Sequence, residues 1–220
     1  MPHSTRDRLV SAALRLFCEK GYGCTSIADV LEAAGVDGAS LCRLFSGKRD
    51  LLLAVLDAHR SGMRATLLER AWRDVTDPIE KIFSLLAVYR QLMVETDCRY
   101  ACPIGSLALE IHEPDPPVRE LIAAYFRALT DAILECLLEA GRRLPDALDR
   151  LSLAEFVLTT MEGGLMQARI FRDVAYFDRA VQELRNYVEI LLYGRPSLSV
   201  PVRQALAHFG NGHRSAGRGK

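Results

Sequence analysis

The run Gly38-Ala39-Ser40-Leu41-Cys42-Arg43, followed by Lys48 and Arg49, sets cations beside small side chains. An arginine fork can bind guanine or a phosphate through paired hydrogen bonds, and a lysine ammonium can neutralise a phosphate. Small neighbours let a backbone approach a duplex closely. Thr25 and Ser26 add hydroxyl and amide donors of the kind that hold phosphate oxygens. A second run, "DCRYACPIGSLALEI", carries thiols: Cys98 and Cys102 flank Arg99, with Pro103 at a helix entry. A helix N-terminus and a guanidinium both favour the nucleophilic thiolate, whereas a small buried residue is the plainer reading of each cysteine. The chain has no Gly-x-Ser-x-Gly, no Walker loop, no His-Glu-x-x-His and no paired Glu-x-x-His. No spacing among its six cysteines and five histidines makes a tetrahedral zinc site. The pattern speaks against an enzyme and calls for neither metal nor cofactor.

These residues need elements to hold them, and helical periodicity dominates the chain. Leu9, Ala13, Leu16 and Phe17 form one stripe of a helix over Thr5–Lys20, capped by Ser4 or Thr5 and ended by Gly21. A second helix starts behind Thr25 or Ser26 and breaks at Gly35, which can take the left-handed backbone of a sharp corner. A third runs from about Asp37 to Phe45, with Leu41, Leu44 and Phe45 facing inward. So short a helix has no stability alone and must be braced. The first of the pair props while the second presents Gly38, Ala39, Ser40, Cys42 and Arg43 outward, a helix-turn-helix. Further helices are expected at about 47–72, 78–95, 104–111, 117–141, 152–171 and 175–193. The fold class is therefore all-α: a three-helix head over 1–50 on a larger helical bundle over 51–194.

Charge narrows the function classes. The formal net charge is zero, but residues 195–220 hold five cations and no acid, leaving 23 cations against 28 acids in the rest. Any contact with nucleic acid must come from local placement, since bulk charge does not advertise it. The 195–220 segment reads as a basic, mobile tail, with non-specific phosphate attraction as its other use. No stretch approaches the roughly 20 apolar residues of a membrane span, and no signal pattern opens the chain. A cytoplasmic protein is expected, with scattered cysteines kept reduced.

The stretch "TRDRLVSAALRLFCEKGYGCTSIADVLEAAGVDGASLCRLFSGKRDLLLAVLD" resembles the N-terminal domain of the TetR family of bacterial transcriptional repressors throughout Thr5 to Asp57. The resemblance rests on "AALRLFCEKGY", "TSIADVLEAAGV" and the pattern ending in Leu41, Phe45, Lys48 and Leu51. It implies a homodimer that binds double-stranded operator DNA and leaves it when a small-molecule inducer enters the C-terminal helices. The DNA-facing positions it implies are Thr25, Ser26, Gly38, Ala39, Ser40, Cys42, Arg43 and Lys48. Three positions depart from the family: Cys42 where Tyr is usual, Leu44 where His or another aromatic is common, and Gly38 where Lys is frequent. Cys102 to Glu110 is similar to a TetR subgroup with cysteine at this point, some members of which sense electrophiles or oxidants.

The bundle holds two further sets of candidates. A mostly apolar ligand cavity is expected among Phe83, Leu86, Tyr89, Arg90, Met93, Cys102, Ser106, Leu109, Glu110, Tyr125, Phe126 and Met161. A dimer seam is expected from Phe156, Thr160, Gly164 and Gln167 on one helix and Phe177, Val181, Leu184, Val188 and Leu191 on the next. Periodicity cannot separate such a seam from intramolecular core, because both bury the same kind of surface. Three readings follow: a dimeric, ligand-released repressor; the same repressor switched through the Cys102 thiol; or a helical interaction module without specific DNA binding.

Overall fold

The computed structural model describes residues 4–100, 102–111 and 115–194, and among them every regular element is helical. Helix α1, Thr5–Lys20, opens on Ser4, whose hydroxyl accepts from the Asp7 N–H while the Asp7 carboxylate accepts from the Ser4 N–H. Helix α2, Ile27–Ala34, repeats this reciprocal cap with Ser26 and Asp29. It ends at Gly35, whose φ of 61° and ψ of 44° are left-handed. The Arg8 guanidinium donates to the carbonyls of Ala34 and Gly35, so the open end of α2 is met by a cation from α1.

Helix α3, Gly38–Leu44, is capped by Asp37, whose carboxylate accepts from the Ser40 N–H at 2.8 Å. Leu41 is the residue of α3 that enters the core, with Phe45 just beyond. Leu44 does not join them and is 42 % exposed. The helix stops there, and the extended backbone of Phe45 gives that ring the inner position instead. Leu9, Ala13, Leu16, Phe17 and Val30 complete the core under this head.

Helix α4, Lys48–Met63, continues through a wider π turn, Arg64–Leu68, into α5, Glu69–Trp72. Asp77 caps and Pro78 starts α6, Pro78–Glu95. Cys102 caps α7, Pro103–Glu110, accepting the Gly105 N–H on Sγ at 3.3 Å. Helix α8, Pro116–Glu139, packs against α4, α6 and α9, Arg150–Phe171, which in turn carries α10, Ala175–Tyr193. Helix α7 bridges the two parts of the molecule, touching α1 on one side and α8 on the other. No helix of the described residues is long and apolar enough to cross a membrane. The basic segment 195–220 lies outside the described residues.

Candidate DNA interface and ligand cavity

On α3 the residues Gly38, Ala39, Cys42 and Arg43 are exposed and Ser40 is half-buried. An Asp37–Ser40–Arg43 chain runs along this face: the Ser40 hydroxyl donates to Asp37 at 2.8 Å and accepts from Arg43 Nη2 at 3.0 Å. The Ser40 N–H holds the Asp37 carboxyl below its ordinary value. Arg43 is thereby tethered through one nitrogen while its side chain stays exposed.

Thr25 is corrected. It is 1 % exposed, and its hydroxyl donates inward to the carbonyls of Gly21 and Leu16, so the side chain holds the α1–α2 turn and cannot meet phosphate. Ser26 is exposed, but its hydroxyl is already the cap of α2, donating to Asp29 at 2.6 Å. Lys48 is half-buried, with Nζ 4.4 Å from the Tyr22 ring centroid and donating to the Gly23 carbonyl at 3.3 Å.

Behind the head lies a cavity of about 860 Å³ between α7, α8 and α9, with Phe17 and Gly21 of the head at one end. Leu109, Phe126, Leu158, Leu165, Met166 and Ile170 make its walls apolar. Polar groups come from Cys102, Ser106, Glu110, Thr159, Glu162 and Arg169. Arg169 Nη1 donates to the Ser106 hydroxyl at 3.0 Å, tying α9 to α7 across the wall. Burial pushes the Glu162 carboxyl up to about 7, with a contact from the Cys102 thiol pulling back.

Of the expected cavity residues, the structure brings Cys102, Ser106, Leu109, Glu110 and Phe126 together and places the others elsewhere. Phe83, Leu86 and Arg90 line a separate groove of about 310 Å³, where Arg90 is forked onto Asp178. Met93 and Met161 are sealed in the core. Tyr89 and Tyr125 are also buried, joined by a hydroxyl–hydroxyl hydrogen bond of 3.0 Å, beside a small pocket of about 190 Å³. For the α6 candidates the reason is shared: α6 packs its apolar side against α8, α9 and α10, so its stripe is consumed there, while Tyr125 of α8 and Met161 of α9 turn into the same core. Glu162 and Arg169 were missed; the usable signal was their spacing of seven residues, two helical turns, which sets a carboxylate and a guanidinium on one face of α9.

The Cys102 thiol is also corrected. Complete burial and then the Glu162 charge raise its pKa well above the ordinary thiol value, which outweighs the helix N-terminus. Burial likewise raises the Cys98 thiol, away from the thiolate. On the dimer seam, Gly164, Phe177, Leu184 and Val188 are buried within one chain. A Cβ on Gly164 would lie 3.0 Å from the Phe177 ring, so these residues are the α9–α10 contact itself. Phe156 and Gln167 remain exposed, and Thr160, Val181 and Leu191 are half-buried.

Comparison with known proteins decides the family. Residues 9–55 match the model of bacterial regulatory proteins of the tetR family, and residues 78–183 match the C-terminal domain described as LmrA/YxaF-like transcriptional regulator. An uncharacterised HTH-type transcriptional regulator of Mycobacterium tuberculosis is 31 % identical over 189 residues, covering 82 % of this chain and 92 % of its own. The chain belongs to the TetR family. As a TetR-family protein it is a DNA-binding transcriptional regulator and not an enzyme. The HTH-type transcriptional repressor BdcR of Escherichia coli is 29 % identical over 164 residues, covering 74 % of this chain and 78 % of its own. A TetR transcriptional regulator from Chloroflexus aurantiacus is 27 % identical, with a TM-score of 0.74 over 84 % of this chain and 93 % of that one. A regulatory protein TetR from Rhodobacter sphaeroides, 23 % identical, shares the fold with a TM-score of 0.74 over 80 % and 95 % of the two chains.

Proposed function

We propose that this TetR-family regulator is a homodimeric repressor that leaves its operator when a small molecule occupies the cavity between α7, α8 and α9. The observation that carries this is the cavity's position: its wall includes α7, the helix that also touches α1 of the head. Its size and apolar walls suit a drug-sized, mainly apolar molecule with a few hydrogen-bonding groups. The head ends near residue 50 and the cavity-bearing part extends to about 194. On DNA, α3 enters the major groove with Gly38 and Ala39 against the duplex and Arg43 at a base edge or phosphate, while Ser26 and Lys48 flank the backbone. The relative named as a repressor supports the sign of regulation.

The test is selection of bound duplexes from a random pool by the purified protein. A two-fold symmetric site is expected, with half-sites related by about one helical turn or a multiple of it. Arg43→Ala should weaken binding to that site by about 1–3 kcal/mol and relax its sequence preference. Enrichment of no site, or an Arg43→Ala protein that binds the selected duplex like wild type, would overturn the reading.

A further inference from the structure

Glu110 belongs to two places at once. It is the last residue of α7 and lines the cavity, and its carboxylate accepts the backbone N–H of Tyr22 at 2.7 Å and of Gly23 at 2.5 Å. Both amides lie in the turn between α1 and α2. The turn is shaped for this guest. A Cβ at Gly21 or Gly23 would sit 3.1 or 3.2 Å from the carboxylate oxygens, closer than an ordinary contact, and Gly21 has a positive φ of 88°. Among the described residues, these are the hydrogen bonds that α7 side chains make to the head.

The same turn is gripped from its carbonyl side by Lys48, through the Gly23 oxygen and the Tyr22 ring. Lys48 opens the helix that follows α3. A continuous physical chain therefore runs from cavity wall to Glu110, to the Tyr22–Gly23 backbone, to a cation beside the recognition helix. Resting on the ligand-release reading above, we propose that Glu110 is the positioning residue that sets the head for DNA. Its carboxylate seats the Tyr22–Gly23 turn, and a molecule bound against α7 draws it off, unseating the turn and Lys48 together. The physical basis is asymmetry: the two amides are satisfied together by one side chain, so a small displacement of α7 frees both.

The full chain tests this without an identified ligand. Residue-resolved amide exchange and affinity for the selected duplex are measured for wild type, Glu110→Ala, Glu110→Gln and Tyr100→Phe. The last removes another head–bundle hydrogen bond, Tyr100 to Glu19 at 2.6 Å, away from the cavity wall. Leu158→Trp places a tethered occupant in the cavity, and Thr159→Trp at its rim replaces it if that variant does not fold. Glu110→Ala should speed exchange at Tyr22 and Gly23 and weaken duplex binding on the order of tenfold. Glu110→Gln, with one acceptor oxygen, should fall between, and Tyr100→Phe should alter neither readout. The tryptophan variant should reproduce the Glu110→Ala effect and add nothing to it in the double variant. Unchanged exchange at Tyr22 and Gly23 in Glu110→Ala, or fully additive effects in the double variant, would overturn the proposal. Should wild type select no duplex, the repressor reading fails by itself and the exchange data still decide the role of Glu110.

Discussion

The Glu162 carboxyl sits against the first turn of α7, in contact with the position a Gly105 Cβ would fill, and its Oε1 is sealed from solvent without a hydrogen-bond partner among the described residues. The titratable groups facing it are Cys102 of the α7 cap, Tyr89 of α6 and Tyr125 of α8, all buried, with Arg169 on its own helix and Glu110 elsewhere on the cavity wall. Burial dominates, so the folded pKa is raised from 4.5 to about 7. Between those values the unfolded chain releases a proton that the fold retains, so this group's contribution to stability is full below pH 4.5 and is lost as pH rises toward 7. Glu162→Gln removes the titration. Relative to wild type it should gain up to roughly 3 kcal/mol at pH 8 and little at pH 4, at about 1.4 kcal/mol per pH unit of displacement. Urea unfolding at the two pH values measures it, and parallel stability curves would show that Glu162 ionises freely. Asp29 and Asp37 work in the opposite sense. The Ser26 hydroxyl and the Ser40 N–H, respectively, lower their pKa, so their contribution is present above pH 4 and lost in acid.

At the scale of elements, Gly35 shows what local chemistry can specify. Its left-handed backbone ends α2, and a Cβ there would meet Arg8 Nη2 at 3.0 Å, the group that satisfies the α2 carbonyls. Gly35→Ala should therefore cost about 1–2 kcal/mol of stability, read as a lower urea midpoint with an unchanged slope. The helix starts were legible to within one residue for the same reason: Ser4 or Thr5 and Thr25 or Ser26 were the candidates, and the reciprocal bonds with Asp7 and Asp29 give the caps to Ser4 and Ser26. The inward face of α1 was legible too, because Leu9, Ala13, Leu16 and Phe17 form one continuous stripe, and all four are buried. The cavity was half legible. Ser106, Leu109 and Glu110 were placed by the short α7, whereas the α6 candidates Phe83, Leu86 and Met93 carry the same periodicity and spend it on core packing. Which face of a buried helix meets a cavity depends on the angle at which its neighbours cross, and spacing along the chain does not encode that.

For the whole molecule, the same ambiguity divides the expected seam residues between intramolecular core and outer face. Leu184 and Val188 close the α9–α10 contact inside the chain, while Phe156, Tyr187, Ile190 and Tyr193 stay outside, at 48, 42, 40 and 72 % exposure. Phe156 and Tyr187 already meet edge to face with centroids 5.9 Å apart, so the two helices present one joined apolar surface. In the homodimer proposed above, this two-helix face would meet its copy about a two-fold axis, giving four helices at the seam. That geometry matters for DNA because paired recognition helices must stand about 34–36 Å apart to read successive major grooves. A single head offers one short recognition helix, with Arg43, Lys48 and Arg49 among the cations beside it, and so reads one half-site at most. Phe156→Asp combined with Ile190→Asp should give a folded monomer, since neither side chain is in the core. Sedimentation should show one mass near 24.5 kDa with an unaltered helical spectrum. Affinity for a symmetric duplex should then fall to that for a half-site. A double variant that still sediments as a dimer would place the seam elsewhere, and one that is monomeric yet binds the full site undiminished would break the link between assembly and recognition.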